Sequence, residues 1–256
     1  MKLKALFIVL LCFATFFPVK GEMHARTVFA ELGALSWCPH CPKASDALQN
    51  LSQELNFCYV TLVYDKSKVA SLRGSWLRDA YAPMLYIDGG YEVVDYSPSS
   101  VYSDYRNAIE NASKRNVRNV EVEINAKWLG EAKIEIGIKI LNKEKPYLCH
   151  LRVYVTEINS RWNDYAGKPF KYAFLDYAFN EYILLKKEYE KVKIWDGNKM
   201  HGNLTFPDIE KDNIMIIATI SNAMPHIEKN PWEKPFPYFI AEYVDVVKSS
   251  LLSLLN

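Results

Sequence analysis

The order of apolar patterns predicts an α/β unit in the first part of the chain, followed by an all-β, antiparallel sandwich. Two observations carry this. Up to Ser113, short apolar runs alternate with segments whose apolar positions step by three and four, as strands alternating with helices do. From Val120 the apolar positions step by two, with turn residues between the runs, as half-buried antiparallel strands do. The period changes at the polar stretch Lys114-Arg115-Asn116, so the expected units are residues 22–116 and 117–222.

Taken in order, residues 26–36 (RTVFAELGALS) read as a buried strand. They run into Trp37-Cys38-Pro39-His40-Cys41-Pro42. Ala44, Ala47, Leu48, Leu51 and Leu55 then mark one helix face, which places Cys38 at a strand-to-helix junction, at the expected helix start. Residues 57–64 (FCYVTLVY) are a second buried strand, and 68–81 are expected to be helical. Ala82-Pro83 leads a strand into a Gly89-Gly90 hairpin turn, with Tyr91 to Tyr96 returning. Ser97 as N-cap and Pro98 at the first helical position open a last helix through Ser113.

In the second unit, Val120, Val122, Ile124 and Ala126 alternate with polar residues, as do Ile134, Ile136, Ile138 and Ile140, then Leu151, Val153 and Val155. Further strands are expected at 182–185, 191–195 and 213–220. Residues 159–179 lack a clear period and read as a long aromatic-rich connection. Residues 223–256 form a proline- and aromatic-rich tail that ends in a helix or a strand.

Composition narrows the partners. The 256 residues hold 31 basic and 30 acidic side chains, which leaves no basic footprint for nucleic acid. Five cysteines are too few for a disulfide-built scaffold. There is one CxxC, and His24, His40, His150, His201 and His226 are scattered, so neither a metal site nor another cofactor is expected.

Residues 1–21 carry Lys2 and Lys4, an uncharged apolar run from Ala5 to Phe17, and small residues at Val19 and Gly21. That is the layout of a secretory signal peptide, with an uncleaved anchor as the alternative. The expected location is therefore extracytoplasmic, secreted or associated with the cell envelope. Membrane contact is expected only through an uncleaved N-terminus or the C-terminal segment. Cys58 and Cys149 read as quiet core thiols, although a Cys58–Cys149 pairing is one of those the count permits.

The chemistry suggested by the motif is thiol–disulfide exchange. The attacking species is a thiolate, which a helix N-terminus favours through its dipole and free N–H groups. Two intervening residues let the second sulfur close a small ring, and His40 lies inside it. WCPHC at this junction, with Ala82-Pro83 following Cys41 by 42 positions, resembles the thioredoxin fold over residues 26–115. The Pro-His pair is similar to that of DsbA-type oxidants.

The resemblance implies a cis Pro83 facing the motif. It also implies that Cys38 exchanges with substrate, Cys41 resolves the mixed disulfide and His40 tunes the potential. Trp37, Pro39 and Ala82 would line the substrate groove together with Pro83. The fold's buried acid in the strand before the motif aligns here with Leu32, with Glu31 beside it. The combination with a sandwich resembles the outer-membrane lipoprotein family that joins a thioredoxin-like domain to one. Phe206 to Asn222 and Lys187 to Lys191 carry that second resemblance.

The expected function is an exported thiol–disulfide oxidoreductase, oxidising or isomerising rather than reducing. Its partners would be exported proteins with thiols or disulfides and a redox partner that regenerates it. The competing expectation is a non-catalytic cell-surface binding or adhesion protein whose CxxC disulfide is structural. Reducibility separates the two, because structural disulfides lie below about −300 mV and DsbA-like ones near about −120 mV.

Overall fold

The structure, a computed structural model, describes residues 26–232 and 234–254. The expected signal peptide at 1–21 lies outside them. The chain is mostly β, with few helices and one large mixed sheet. Its first part runs β1 (Val28–Ala34), α1 (Cys41–Leu51), β2 (Phe57–Val63), α2 (Lys68–Trp76), β3 (Met84–Ile87), β4 (Glu92–Asp95) and α3 (Val101–Ser113). β1 pairs in parallel with β2 and antiparallel with β3, and β3 with β4 forms a hairpin.

β1 is buried on both faces, which explains its unbroken apolar run. Leu32, Leu85 and Ile87 pack under α1 and α3 through Leu48, Tyr105 and Ile109. Phe29, Val60 and Leu62 face the opposite side, where α2 contributes Ala70. The β3–β4 turn needs its glycines. Gly89 has a φ of 71°, and a Cβ there would lie 2.3 Å from the Glu242 carbonyl oxygen. α3 ends where the sequence predicts but starts later. The Ser97 carbonyl accepts from the N–H groups of Ser100 and Val101 in a preceding turn, and Ser100 is the N-cap.

The second part is built from β5 (Val120–Gly130), β6 (Lys133–Asn142), β7 (Tyr147–Asn163), β8 (Pro169–Leu185), β9 (Glu188–Asp196) and β10 (Ile214–Asn222), then β11 (His226–Lys229), β12 (Tyr238–Ala241) and β13 (Val244–Leu251). β5, β6 and β9 form a three-stranded sheet. Its inner face, with Ile134, Ile136, Ile138 and Ile140 fully buried, packs against Leu151, Val153, Ile216 and Ala218 of the large sheet. β13 pairs antiparallel with β10, so the final segment is a strand. Among the described residues no helix is long and apolar enough to cross a membrane.

One feature departs from the sequence expectations. The segment 159–179 is not an irregular connection. It belongs to two 17-residue strands, β7 and β8, that reach a tip at residues 164–168. The register shifts at Val153/Tyr154, Val155/Thr156 and between Asn159 and Asn163. Each shift breaks the period of two, which hides the strands from a periodicity reading.

Each part has a core cluster of its own, from Val28 to Ala112 and from Val120 to Leu252, while one sheet and a further cluster run across both. β2 pairs in parallel with β8 at Thr61 and Ala173, so one sheet runs β13-β10-β7-β8-β2-β1-β3-β4. A shared cluster joins Phe29, Val60, Leu62 and Tyr86 to Tyr154, Phe174, Ile217, Phe239 and Val244. Inside it, Arg73 donates to Glu31 through Nε at 2.8 Å and Nη2 at 2.6 Å, and the Tyr154 hydroxyl donates to Glu31 at 3.1 Å.

Candidate functional site

The CxxC follows the C-terminal end of β1. The Cys38 N–H donates to the Leu35 carbonyl at 3.1 Å, which closes a turn. Asp65, just after β2, accepts from the Ser36 N–H at 2.9 Å and from the Ser36 hydroxyl, tying this loop to the sheet. α1 starts at Cys41, with His40 as N-cap and Pro42 in the first turn. Cys38 therefore precedes the helix instead of opening it. Pro39 disfavours the helical conformation at the residue before it, whereas Pro42 sits in a first turn that needs no donor from it.

The helix end still reaches Cys38. The Cys41 N–H donates to Cys38 Sγ at 3.2 Å, and that sulfur lies 3.5 Å from the Ala82 carbonyl oxygen. The Ala82–Pro83 bond is cis. Cys38 is 4% exposed and Cys41 fully buried, and both are free thiols. Burial, reinforced by the hydrogen bond with Cys38, pushes the Cys41 thiol well above the ordinary thiol range. The two sulfurs share one apolar cluster but are not equivalent: Cys38 Sγ has an N–H donor, and the Cys41 thiol is raised by burial.

The remaining residues singled out by the sequence lie around this pair. Trp37, Pro39 and His40 are exposed, Ala82 is half-buried and Pro83 is buried. The His40 ring stacks on Tyr96 with centroids 5.2 Å apart. Leu32 packs in the core under α1 and α3, while Glu31 faces the other side and is held by Arg73. Cys58 and Cys149 belong to different clusters and are both free thiols, with burial pushing each up to about 12. They are not paired with one another.

No family model matches the chain, and no curated protein matches it. In fold it is similar to HBP35 of Porphyromonas gingivalis. That likeness has a TM-score of 0.62 at 12% identity, covering 90% of this chain and 76% of the other. Protein AGR_C_4864 from Agrobacterium tumefaciens gives a TM-score of 0.45 at 15% identity, over 89% of this chain and 95% of its own. A domain of the outer membrane lipoprotein Omp28 from Porphyromonas gingivalis gives 0.31 at 12% identity, over 52% of this chain and 88% of its own. The similarity to HBP35 concerns the fold.

Several residues at the site were not singled out from sequence. Trp162 and Phe170, from the β7–β8 tip, pack with Ala34, Val63, Cys38 and Cys41. Asp164 lies on the same tip and acts electrostatically on Cys41. Tyr96, after β4, stacks on His40, and Tyr105 of α3 is buried in the cluster under α1. The run Trp162-Asn-Asp-Tyr-Ala-Gly-Lys-Pro169 carries turn chemistry between aromatic stretches, and that was the available hairpin signal.

Asp79 was also missed. It accepts from the Tyr64 hydroxyl at 2.5 Å and from the Tyr81 N–H at 3.2 Å, and so holds the approach to Ala82–Pro83. Burial pushes its carboxyl up to about 6 against the pull of these two donors.

Proposed function

We propose that this chain is a thioredoxin-like thiol–disulfide oxidoreductase acting outside the cytoplasm, its thioredoxin-like part joined to a β-sandwich. The observation that carries the reading is Cys38 Sγ held between the Cys41 N–H at 3.2 Å and the Ala82 carbonyl at 3.5 Å.

In the oxidising direction a substrate thiolate attacks Cys38 of the Cys38–Cys41 disulfide. That S–S bond breaks, and Cys41 leaves and takes a proton. A second substrate thiolate then attacks its partner sulfur bound to Cys38, forming the substrate disulfide and releasing Cys38. The substrate loses two electrons and the cysteine pair gains them; a redox partner reverses this. Oxidation or isomerisation is the favoured direction, because the helix-end donor stabilises the Cys38 thiolate of the reduced form. His40 tunes the couple, and Trp37, Pro39, Ala82 and Pro83 shape the groove. The substrates are exported proteins with thiols or disulfides.

The test is catalysed oxidation of a reduced, unfolded protein by the oxidised full chain. Wild type should accelerate it and Cys38→Ser should abolish the acceleration. Equal rates for both would refute the reading.

A second reading, a surface binding module with structural cysteines, is favoured by one observation. Exposed Leu72, Trp76, Ile227, Tyr238 and Ile240 line an apolar groove of about 510 Å³ away from the motif. It gains if the oxidised chain catalyses nothing.

A further inference from the structure

Side chains along β7 alternate between the two faces of the large sheet. Leu151 and Val153 face the sandwich core, so His150 and Arg152 take the other face, beside their register partners Tyr182 and Asn180 of β8. His150 and Arg152 are each only 7% exposed, a costly place for polar side chains. Between this face and α2 lies a pocket of about 440 Å³.

The charges around the pocket are already spent. Arg73 is held by Glu31. Arg152 Nη2 donates to Glu242 Oε2 at 2.6 Å, and the Tyr182 hydroxyl donates to Glu242 Oε1. His150 lies 2.8 Å from Glu242 Oε2 and 2.8 Å from Asn180 Oδ1. Asp176 has His201 Nδ1 at 2.6 Å. Against its burial, His150, Arg152 and Tyr182 hold the Glu242 carboxyl down to about 2, so it stays an anion. Opposite charges this close cancel at the distance of a ligand and offer no net field to an ion. What remains is a set of fixed hydrogen-bonding groups. These bonds leave over Asn180 Nδ2, Arg73 Nη1 and a lone pair on the Tyr182 hydroxyl.

The α2 wall has the opposite character. Leu72 and Trp76, one helical turn apart, are 52% and 73% exposed. A ligand that suits both sides is uncharged, polar along its edge and apolar on a flat face. A pyranose ring is built this way, with C–H groups on its faces and hydroxyls around its rim. A peptide backbone is also neutral and polar, but it has no flat apolar face to lay on an indole. The volume falls within the range of small-molecule sites.

We propose that this pocket binds a neutral saccharide, its ring lying on Trp76 and its hydroxyls bonded to Asn180, Arg73 and Tyr182. None of the lining residues belongs to the cluster around Cys38 and Cys41, so the site is independent of the exchange reading.

The test probes a glycan array with the full chain. The array carries neutral oligosaccharides of hexose and N-acetylhexosamine units beside sialylated and sulfated ones. Neutral members should bind, with no gain from added charge and no loss in higher salt. Those that bind are titrated by calorimetry, both free and coupled to albumin. The preferred form tells a soluble sugar from a surface glycan, and either supports the site.

Trp76→Ala should weaken binding by at least about 30-fold, and Trp76→Phe should recover a large part of it. Asn180→Ala should weaken it by about 10-fold. Tyr165→Ala removes a 64% exposed ring on the β7–β8 tip and should leave binding within about two-fold. The proposal is overturned if no neutral saccharide binds, if binding is confined to acidic glycans, or if Trp76→Ala binds like wild type. It is also overturned if uncharged peptides displace the bound saccharide at lower concentration than the free sugar does.

Discussion

Replacing Asp79 by Asn separates the energetic cost of this carboxyl from its positional use. In the folded chain burial raises it from 3.8 to about 6. The folded state thus binds a proton more tightly than the unfolded state, and wild type loses stability as pH rises from about 4 to about 6. Above that window the cost is complete, at up to about 3 kcal/mol for a shift of this size, as a ceiling for a partly solvated group. Asparagine resembles the protonated acid and carries no such term. Urea unfolding of both proteins between pH 4 and 7.5 should therefore show similar stabilities near pH 4. The variant should gain progressively up to pH 6, and the difference should be constant beyond. A difference independent of pH, or a variant that loses ground as pH rises, would show that the buried Asp79 carboxyl carries no such cost. Because Asp79 also holds the Tyr81 N–H on the approach to Ala82, the stabilised variant should exchange more slowly with substrate.

Three further outcomes follow from the packing. Arg73→Met strands Glu31 in the shared core and should cost about 3–5 kcal/mol in chemical unfolding, much of it recovered by adding Glu31→Leu. Phe170→Ala empties a fully buried position against the cysteines. It should cost about 3–5 kcal/mol and speed alkylation of Cys41, read by mass spectrometry. In the native reduced protein Cys58 and Cys149, both pushed up to about 12, should alkylate far more slowly than Cys38 at neutral pH.

The helices and strands around the motif were legible because local periods and turn residues specify them. Val28 to Ala34, Phe57 to Val63 and the end of α3 at Ser113 lie where the patterns place them. Helix starts were less legible. α1 begins at Cys41 and α3 at Val101, because pre-proline geometry and a preceding turn shift the first hydrogen bond. The long hairpin was hidden because bulges in β7–β8 break the alternation and both faces are covered near β2. Among site residues, Cys38, His40, Cys41 and Pro83 are contiguous in sequence or tied to a turn, which made them readable. Phe170 reaches the motif only through the parallel contact of β8 with β2, a long-range pairing to which no local period refers. Glu31 was ambiguous because a fully buried strand shows no alternation, and only the packing reveals that it faces Arg73.

On the proposed function the Cys38–Cys41 pair is an exchanging couple. Its reduction potential, measured on the folded full chain by equilibration with glutathione buffers, separates exchange from a structural role. An exchanging couple should give a value above about −230 mV, towards the oxidising end of the exchange-active span. A value below about −300 mV with the fold intact would contradict it, because a disulfide of that stability serves to lock a loop.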